Sequence, residues 1–234
     1  MSRNLVVQFF IKPDNFSEPN YNSLGVNDQL FKYSLKSAET YAQRISADYK
    51  LVSAPKVNWK HPTFERFDLF YNDDWWAQYD RILYLDTDVI VWPKAPSVFE
   101  LYPDLYSFKP VFDKRALKKP LAYHEKISKG TCLETIDPAQ LRSKRFNAGV
   151  FMVTKESALA MKPFLNCAEL DSDDNCMLIY AMLKSGVSVE YMDYKFNKKN
   201  GGPSWYFGHA FGQEKFKENF AVIKHAKKIF GDII

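Results

Sequence analysis

The first apolar run, Leu5 to Ile11, is short and stops at Lys12-Pro13, the profile of a buried strand. Residues 14 to 27 are rich in Asn, Ser, Pro and Gly and read as loop. Leu30, Tyr33, Ser34, Ser37, Tyr41 and Ile45 then recur at helical spacing behind Asp28, a suitable N-cap. Tyr49 to Ser53 predicts a second strand. A second helical stripe runs through Phe64, Phe67, Tyr71, Trp75 and Tyr79, where the adjacent Trp75-Trp76 suit core and rim better than a ligand-stacking platform. The strongest strand pattern is RILYLDTDVIVW, Arg81 to Trp92, closed by Pro93.

Leu105 to Val111 is a further strand candidate, whereas 116 to 141 shows no clean period and reads as an insertion. Phe146 to Thr154 is strand-like, with a helix near Glu156 to Phe164. Asp173 to Lys184 is helical, opened by acidic residues and closed by Gly186. Val187 to Met192 predicts a strand, 200 to 204 (NGGPS) a loop, and Phe220 to His225 a last short strand. Strands alternating with helices predict a single α/β domain with a largely parallel sheet flanked by helices. No internal repeat or low-complexity linker interrupts it.

Composition narrows the class. At 234 residues the chain can bury a substantial core without disulfides. Its three cysteines, Cys132, Cys167 and Cys176, show no metal-ligand spacing and fit buried or free thiols. A net charge of +4 is too mild for a nucleic-acid partner. Lys114-Arg115 with Lys118-Lys119, and Lys227-Lys228, are solvated faces first and contacts for an anionic small molecule second. No run approaches the roughly 18 apolar residues of a membrane span, and no signal-peptide pattern opens the sequence. The expectation is a soluble, cytoplasmic protein.

Asp86-Thr87-Asp88 interrupts the strongest apolar strand. Buried carboxylates are very costly unless something cationic meets them. Strand alternation would put Asp86 and Asp88 on one side and Thr87 on the other. Two hard oxygen ligands so placed suit Mg²⁺ or Mn²⁺, with phosphate completing the shell. The competing reading is an ion pair with Arg66 or Arg81.

The pair resembles the D-x-D motif of nucleotide-sugar transferases with the GT-A fold, a Rossmann-like, mostly parallel sheet. Further segments resemble glycosyltransferase family 8, the glycogenin type, in the same order: FERFDLF with Arg66 at a basic position, AQYDRILYLDTDVIV, FNAGVFMV from Phe146, DDNCML from Asp173, and Phe196-Asn197. The resemblance covers about two-thirds of the chain. It implies a nucleotide-binding half (1–92) and an acceptor half (93–234), a divalent metal, and a nucleoside-diphosphate sugar donor, a UDP-sugar first. Transfer would be to a glycan or protein-linked acceptor, with retention.

The family ends on a strand followed by a histidine, a metal ligand, and a lysine on the diphosphate. Two positions compete for it. FAVIKHAKK places His225 behind an apolar run and offers Lys228 as the clamp, though Lys228 stands where a glycine is usual. HAFGQEK from His209 keeps the letters without a visible strand. His225 is preferred, because strand geometry aims the imidazole. The resemblance further implies Arg66, Asp86, Thr87, Asp88, Phe10, Ile11 and Lys228 around the donor, and Asp173, Asp174 and Asn147 at the reacting sugar. Asp171 to Asp174 also reads simply as a helix start rich in favourable carboxylates. LYLDTDVIV also fits a haloacid-dehalogenase-type phosphatase, but such an enzyme needs an acidic pair at a later strand end, whereas Asp173-Asp174 opens a helix with no strand before it. A non-catalytic glycan-binding domain is the other alternative.

Overall fold

The computed structural model describes residues 3–11, 28–54, 56, 62–165, 174–210 and 216–232, with side chains throughout except at 28 and 216–221. The chain enters as β1 (Asn4–Phe9), crosses through α1 (Asp28–Arg44) and returns as β2 (Asp48–Val52). A 3-10 turn, Pro62–Phe67, leads through α2 (Asp68–Tyr71) and α3 (Asp73–Gln78) into β3 (Arg81–Leu85) and β4 (Val89–Val91). Then come α4 (Val98–Leu101), β5 (Lys109–Phe112), α5 (Leu121–Ser128), α6 (Pro138–Lys144) and β6 (Phe146–Thr154). α7 (Lys155–Met161), α8 (Asp174–Lys184), β7 (Lys198–Lys199), β8 (Phe207–His209) and α9 (Phe216–Phe230) complete the order.

Five strands form the main sheet in the order β2-β1-β3-β6-β5. β1 pairs in parallel with β2 and β3, and β6 runs antiparallel between β3 and β5, so β6 alone is reversed. One face packs Leu5, Val7, Ile82, Tyr84 and Phe151 against Phe67, Phe70, Trp75 and the α8 residues Met177 and Leu178. On the other face Val6, Leu83, Leu85, Val150 and Met152 meet Ala38, Tyr41 and Ala42 of α1 and Val98 and Phe99 of α4. Burial on both faces explains why β1 and β3 read as continuous apolar runs rather than alternating ones. Each such side chain contributes about 1.5–3 kcal/mol by leaving water. Trp75 and Trp76 are both buried, as core.

A small second sheet, β4-β8-β7, stands beside the first. Ile90 and Trp92 pack there against Leu30 and Tyr33 of α1 and Val222, Ile223 and Ala226 of α9.

Several expected elements differ. RILYLDTDVIVW is two strands, because the chain turns at Asp86, whose carbonyl accepts from Val89 N at 3.1 Å. The long helix over 64–79 divides at Asn72, whose side chain accepts from Asp74 N at 3.0 Å and starts α3. Residues 187–192 contribute only isolated parallel bridges, Phe108 to Val189 and Val111 to Met192. The stretch 116–141 holds α5, most of α6 and short 3-10 turns. The expected strand over 220–225 is helix: Phe216, Phe220, Ile223, Ala226 and Phe230 keep helical spacing once the window is widened. The loop expected over 14–27 lies outside the described residues. Among the described residues, no helix is long and apolar enough to cross a membrane.

Candidate active site

In an open α/β sheet the crevice lies beyond the carboxyl ends of strands where the order reverses. Here that point is between β1, which continues to Phe10 and Ile11, and β3, which ends at Leu85 before Asp86. Phe10 N donates to Val52 O at 2.8 Å, its ring lies 4.0 Å from that of Phe31, and Ile11 is buried. Both flank the crevice on its β1 side.

Asp86 and Asp88 converge by a different device from the one alternation suggested. They bracket a turn, with half-buried Thr87 in its middle. Three clamps hold this turn: Gly149 O accepts from Asp86 N at 2.8 Å, Asp86 O accepts from Gln8 Nε2 at 3.1 Å, and Asp88 O accepts from Ala210 N at 3.0 Å. Gln8 is fully buried, also donates to Ser34 Oγ at 2.9 Å, and accepts from Tyr49 Oη at 2.9 Å. Sequence reasoning passed over it, although a polar residue inside an apolar strand is a signal in itself, since such a group must find partners.

The third member is His209. Its Nε2 lies 3.0 Å from Oδ1 of Asp88 and 3.6 Å from Oδ2 of Asp86. Ligand atoms of the three residues all fall within 4.8 Å of one another. β8, only three residues long and paired antiparallel with β4, carries the ring there, in register with Val89. This corrects the choice of histidine: His225 is exposed on α9, and the strand that favoured it does not exist. Lys228, the matching clamp, is exposed on the same helix, and Lys215 lies outside the described residues. A three-residue strand containing glycine is too short to show a period.

Gly149 makes the convergence possible. A Cβ there would stand 2.1 Å from His209 Cε1 and 2.8 Å from Asp86 Oδ2, so only a glycine lets β6 pass this close.

Arg66 answers the competing reading in part. It pairs with Asp86 at 3.0 Å and with Asp174 at 3.1 Å through one nitrogen, Nη2. Nη1 donates to Ala148 O at 2.8 Å, Nε donates to Thr63 O at 2.9 Å, and the guanidinium lies over the Tyr84 ring. Every nitrogen is engaged within the chain, so Arg66 supports the carboxylates. Burial opposes its charge, but Asp174 and Asp86 outweigh burial and hold it firmly protonated. Burial likewise pushes the Tyr84 hydroxyl well above its ordinary range, keeping it a donor to Asp86 Oδ1 at 2.5 Å. Arg81 turns elsewhere, to Phe99 O and Asn4.

Asn147, Asn175 and Asn197 form the far edge. Asn197 Nδ2 donates to Asn147 Oδ1 at 3.1 Å, and its Oδ1 lies 2.7 Å from His209 Nδ1. Asn175 Oδ1 accepts from Ala148 N at 2.8 Å. Asp174 thus reaches the site at the start of α8, while Asp173 lies outside the described residues.

Two carboxylates and an imidazole form a mixed oxygen and nitrogen donor set, which suits a divalent ion such as Mn²⁺. Arg66 and Tyr84 compensate Asp86 Oδ1 but leave Asp88 facing His209. Burial lowers the proton affinity of His209, yet Asp88 and Asp86 raise it more, so the net shift is upward. The pocket attracts positive charge to this point.

The chain matches no protein-family description and no curated protein by sequence. Its structure is similar to that of a glycosyltransferase involved in glycosylation of the major capsid of PBCV-1: TM-score 0.57, 12% identity, 97% of this chain and 100% of that one. It is similar to the galactosyltransferase LgtC in complex with donor and acceptor sugar analogs: TM-score 0.53, 14% identity, 96% of both chains. The glycosyltransferase GlyE of Streptococcus pneumoniae TIGR4 gives TM-score 0.53 at 13% identity, over 97% of this chain and 60% of that one. The chain therefore has the GT-A fold, a mixed, mostly parallel sheet between helices.

Proposed function

We propose that the chain is a metal-dependent glycosyltransferase that moves a sugar from a nucleoside diphosphate, a UDP-sugar first, to a glycan or protein-linked acceptor. The observation that carries this reading is the meeting of Asp86, Asp88 and His209 at the carboxyl end of β3, in the sheet crevice. The GT-A fold supports it, and so does the resemblance to family 8. Asp86, Asp88 and His209 would hold the ion, which when bound supplies Lewis acidity to the departing diphosphate.

The remaining chemistry belongs to the chain. Arg66 and Tyr84 fix the Asp86 carboxylate in one orientation, so that its second oxygen faces the site. Phe10 and Ile11 offer an apolar wall for the base, and residues 1–92 supply most of the donor side. Asn147, held by Asn197, orients donor or acceptor. Asp174 places negative charge where a sugar cation would develop, and retention is the outcome we adopt. Calorimetry with UDP-sugars, with and without Mn²⁺, tests the reading. Donor binding should require the metal and vanish in Asp88→Ala; equal affinity in excess EDTA would overturn it.

A further inference from the structure

We infer that the acceptor is an acidic glycan, and that Tyr194, Trp205, Lys114 and Lys198 bind it. The inference rests on the transferase reading and adds the chemistry of its acceptor. The rings of Tyr194 and Trp205 meet edge to face, 5.5 Å apart at 61°, and both side chains are half-buried. Lys114 Nζ lies 3.4 Å from the Tyr194 ring centroid, and Lys198 Nζ lies 4.6 Å from that of Trp205. Beside them Lys195 stands over Tyr206 at 5.4 Å.

Among the described residues none of these three ammonium groups has a carboxylate within salt-bridge distance. The nearest acids in sequence are already engaged. Asp113 is held by Arg115 at 2.8 Å, and Asp193 accepts from the backbone N–H of Lys195 at 2.9 Å. Arg145 adds a buried Nη1 that no hydrogen-bond partner meets among the described residues. An exposed cation resting on a ring face is weakly held. It is free to move onto an anion while the ring face takes the apolar side of a sugar.

Position ties the cluster to the reacting centre. Lys198 directly follows Asn197, and in β7 it pairs with Gly208, next to His209. Lys114 directly follows Asp113, whose N–H donates at 3.0 Å to the carbonyl of Arg145, two residues before Asn147. The platform therefore borders the Asn147–Asn197 edge, across from the β1 side where the donor base is placed. A neutral acceptor would use the rings and leave the unpaired cations without a role. An acceptor with carboxylate or phosphate groups uses both.

Calorimetry on the full chain with Mn²⁺ and UDP tests this with three probes: maltotetraose, maltotetraose 6-phosphate and tetragalacturonate. At least one acidic probe should bind at least tenfold more tightly than maltotetraose, and the two acidic arms separate phosphate from carboxylate recognition. Lys114→Gln with Lys198→Gln should remove most of that preference, and Trp205→Leu should weaken acidic and neutral probes alike. Affinity for UDP should stay unchanged in all variants. Equal affinity for all probes, no binding of any, or loss of UDP affinity in the lysine variant overturns the inference. Loss of metal-dependent UDP binding in the parent chain would instead remove the transferase reading and leave the acidic-glycan preference to be read by itself.

Discussion

Nδ1 of His209 stands 2.7 Å from Oδ1 of Asn197, while the amide nitrogen of that asparagine faces Asn147. The amide nitrogen donates to Asn147, so its oxygen accepts from Nδ1–H of His209. In the neutral ring Nε2 then carries the lone pair that faces Asp86 and Asp88. Partners of this kind typically govern metal affinity by 10–100-fold. Asn197→Leu should therefore lower Mn²⁺ affinity in the presence of UDP by about that factor. The fold should lose only about 1 kcal/mol, the worth of a hydrogen bond. Titration calorimetry beside urea unfolding checks it, and unchanged Mn²⁺ affinity would refute the orienting role.

Gly149→Ala tests the close passage of β6. The added methyl would sit 2.1 Å from His209 Cε1, so ring or strand must shift. Overpacking of this kind costs about 1–3 kcal/mol. We expect a lower urea midpoint together with loss of metal-dependent UDP binding. A variant that keeps full metal affinity would show that the site tolerates a displaced imidazole.

Much of this was legible in the sequence, and the failures have physical causes. β1, α1, β3 and β6 declare themselves through long apolar patterns, and the carboxylate pair stands out against β3. Convergence of those carboxylates was right, but its cause was a turn that strand periodicity cannot show. His209 was hidden because β8 is three residues long and is defined by pairing with β4, a contact distant in sequence. His225 was favoured because the six residues 220–225 carry strand-like apolarity, while the helix spans fifteen. Pairing partners and tertiary cover decide such short segments.

Arg66→Met removes the cation shared by Asp86 and Asp174. Both carboxylates are mostly buried, so the loss should be large, on the order of 3–5 kcal/mol for breaking a buried pair. Urea unfolding without metal reads it. Excess Mn²⁺ should restore part of the loss by meeting Asp86, whereas Arg66→Lys should recover little, because one ammonium cannot replace the fork. A loss below about 1 kcal/mol, the range of exposed pairs, would show that solvent already screens these charges.

His209 gives a pH dependence with a definite sign. Its proton affinity in the fold is raised above the ordinary value, against burial, by Asp88 and Asp86. A group raised on folding stabilises fully below its unfolded pKa of about 6.5, and that stability is lost as pH rises through the folded value. Metal-free protein should therefore be more stable near pH 6 than at pH 9, with Mn²⁺ affinity moving the opposite way as the proton leaves Nε2. Urea midpoints across this range in EDTA, with His209→Asn as control, check it. The control should flatten the profile, and an identical profile would assign the effect to another group.

Asp174 separates a helix-capping role from a part in the reaction. It begins α8 and pairs with Arg66 at 3.1 Å, so both a favourable helix start and a neutralised site carboxylate explain its presence. Asp174→Asn keeps the shape and much of the capping ability while removing the charge. If Asp174 only supports the fold, the change should cost about 0.3–1 kcal/mol at the helix end, plus part of the Arg66 pairing, and leave turnover nearly intact. If it faces the reacting sugar, UDP release from a UDP-sugar should slow by about 10²-fold or more, the scale of a lost electrostatic stabiliser. Donor affinity should then move little, while the loss of stability is the same as in the first case, so turnover is what separates the two. We expect the second outcome, because the same Arg66 nitrogen that holds Asp174 also holds Asp86, which ties this helix start to the carboxylate turn. Near-normal turnover at saturating donor would return Asp174 to the helix.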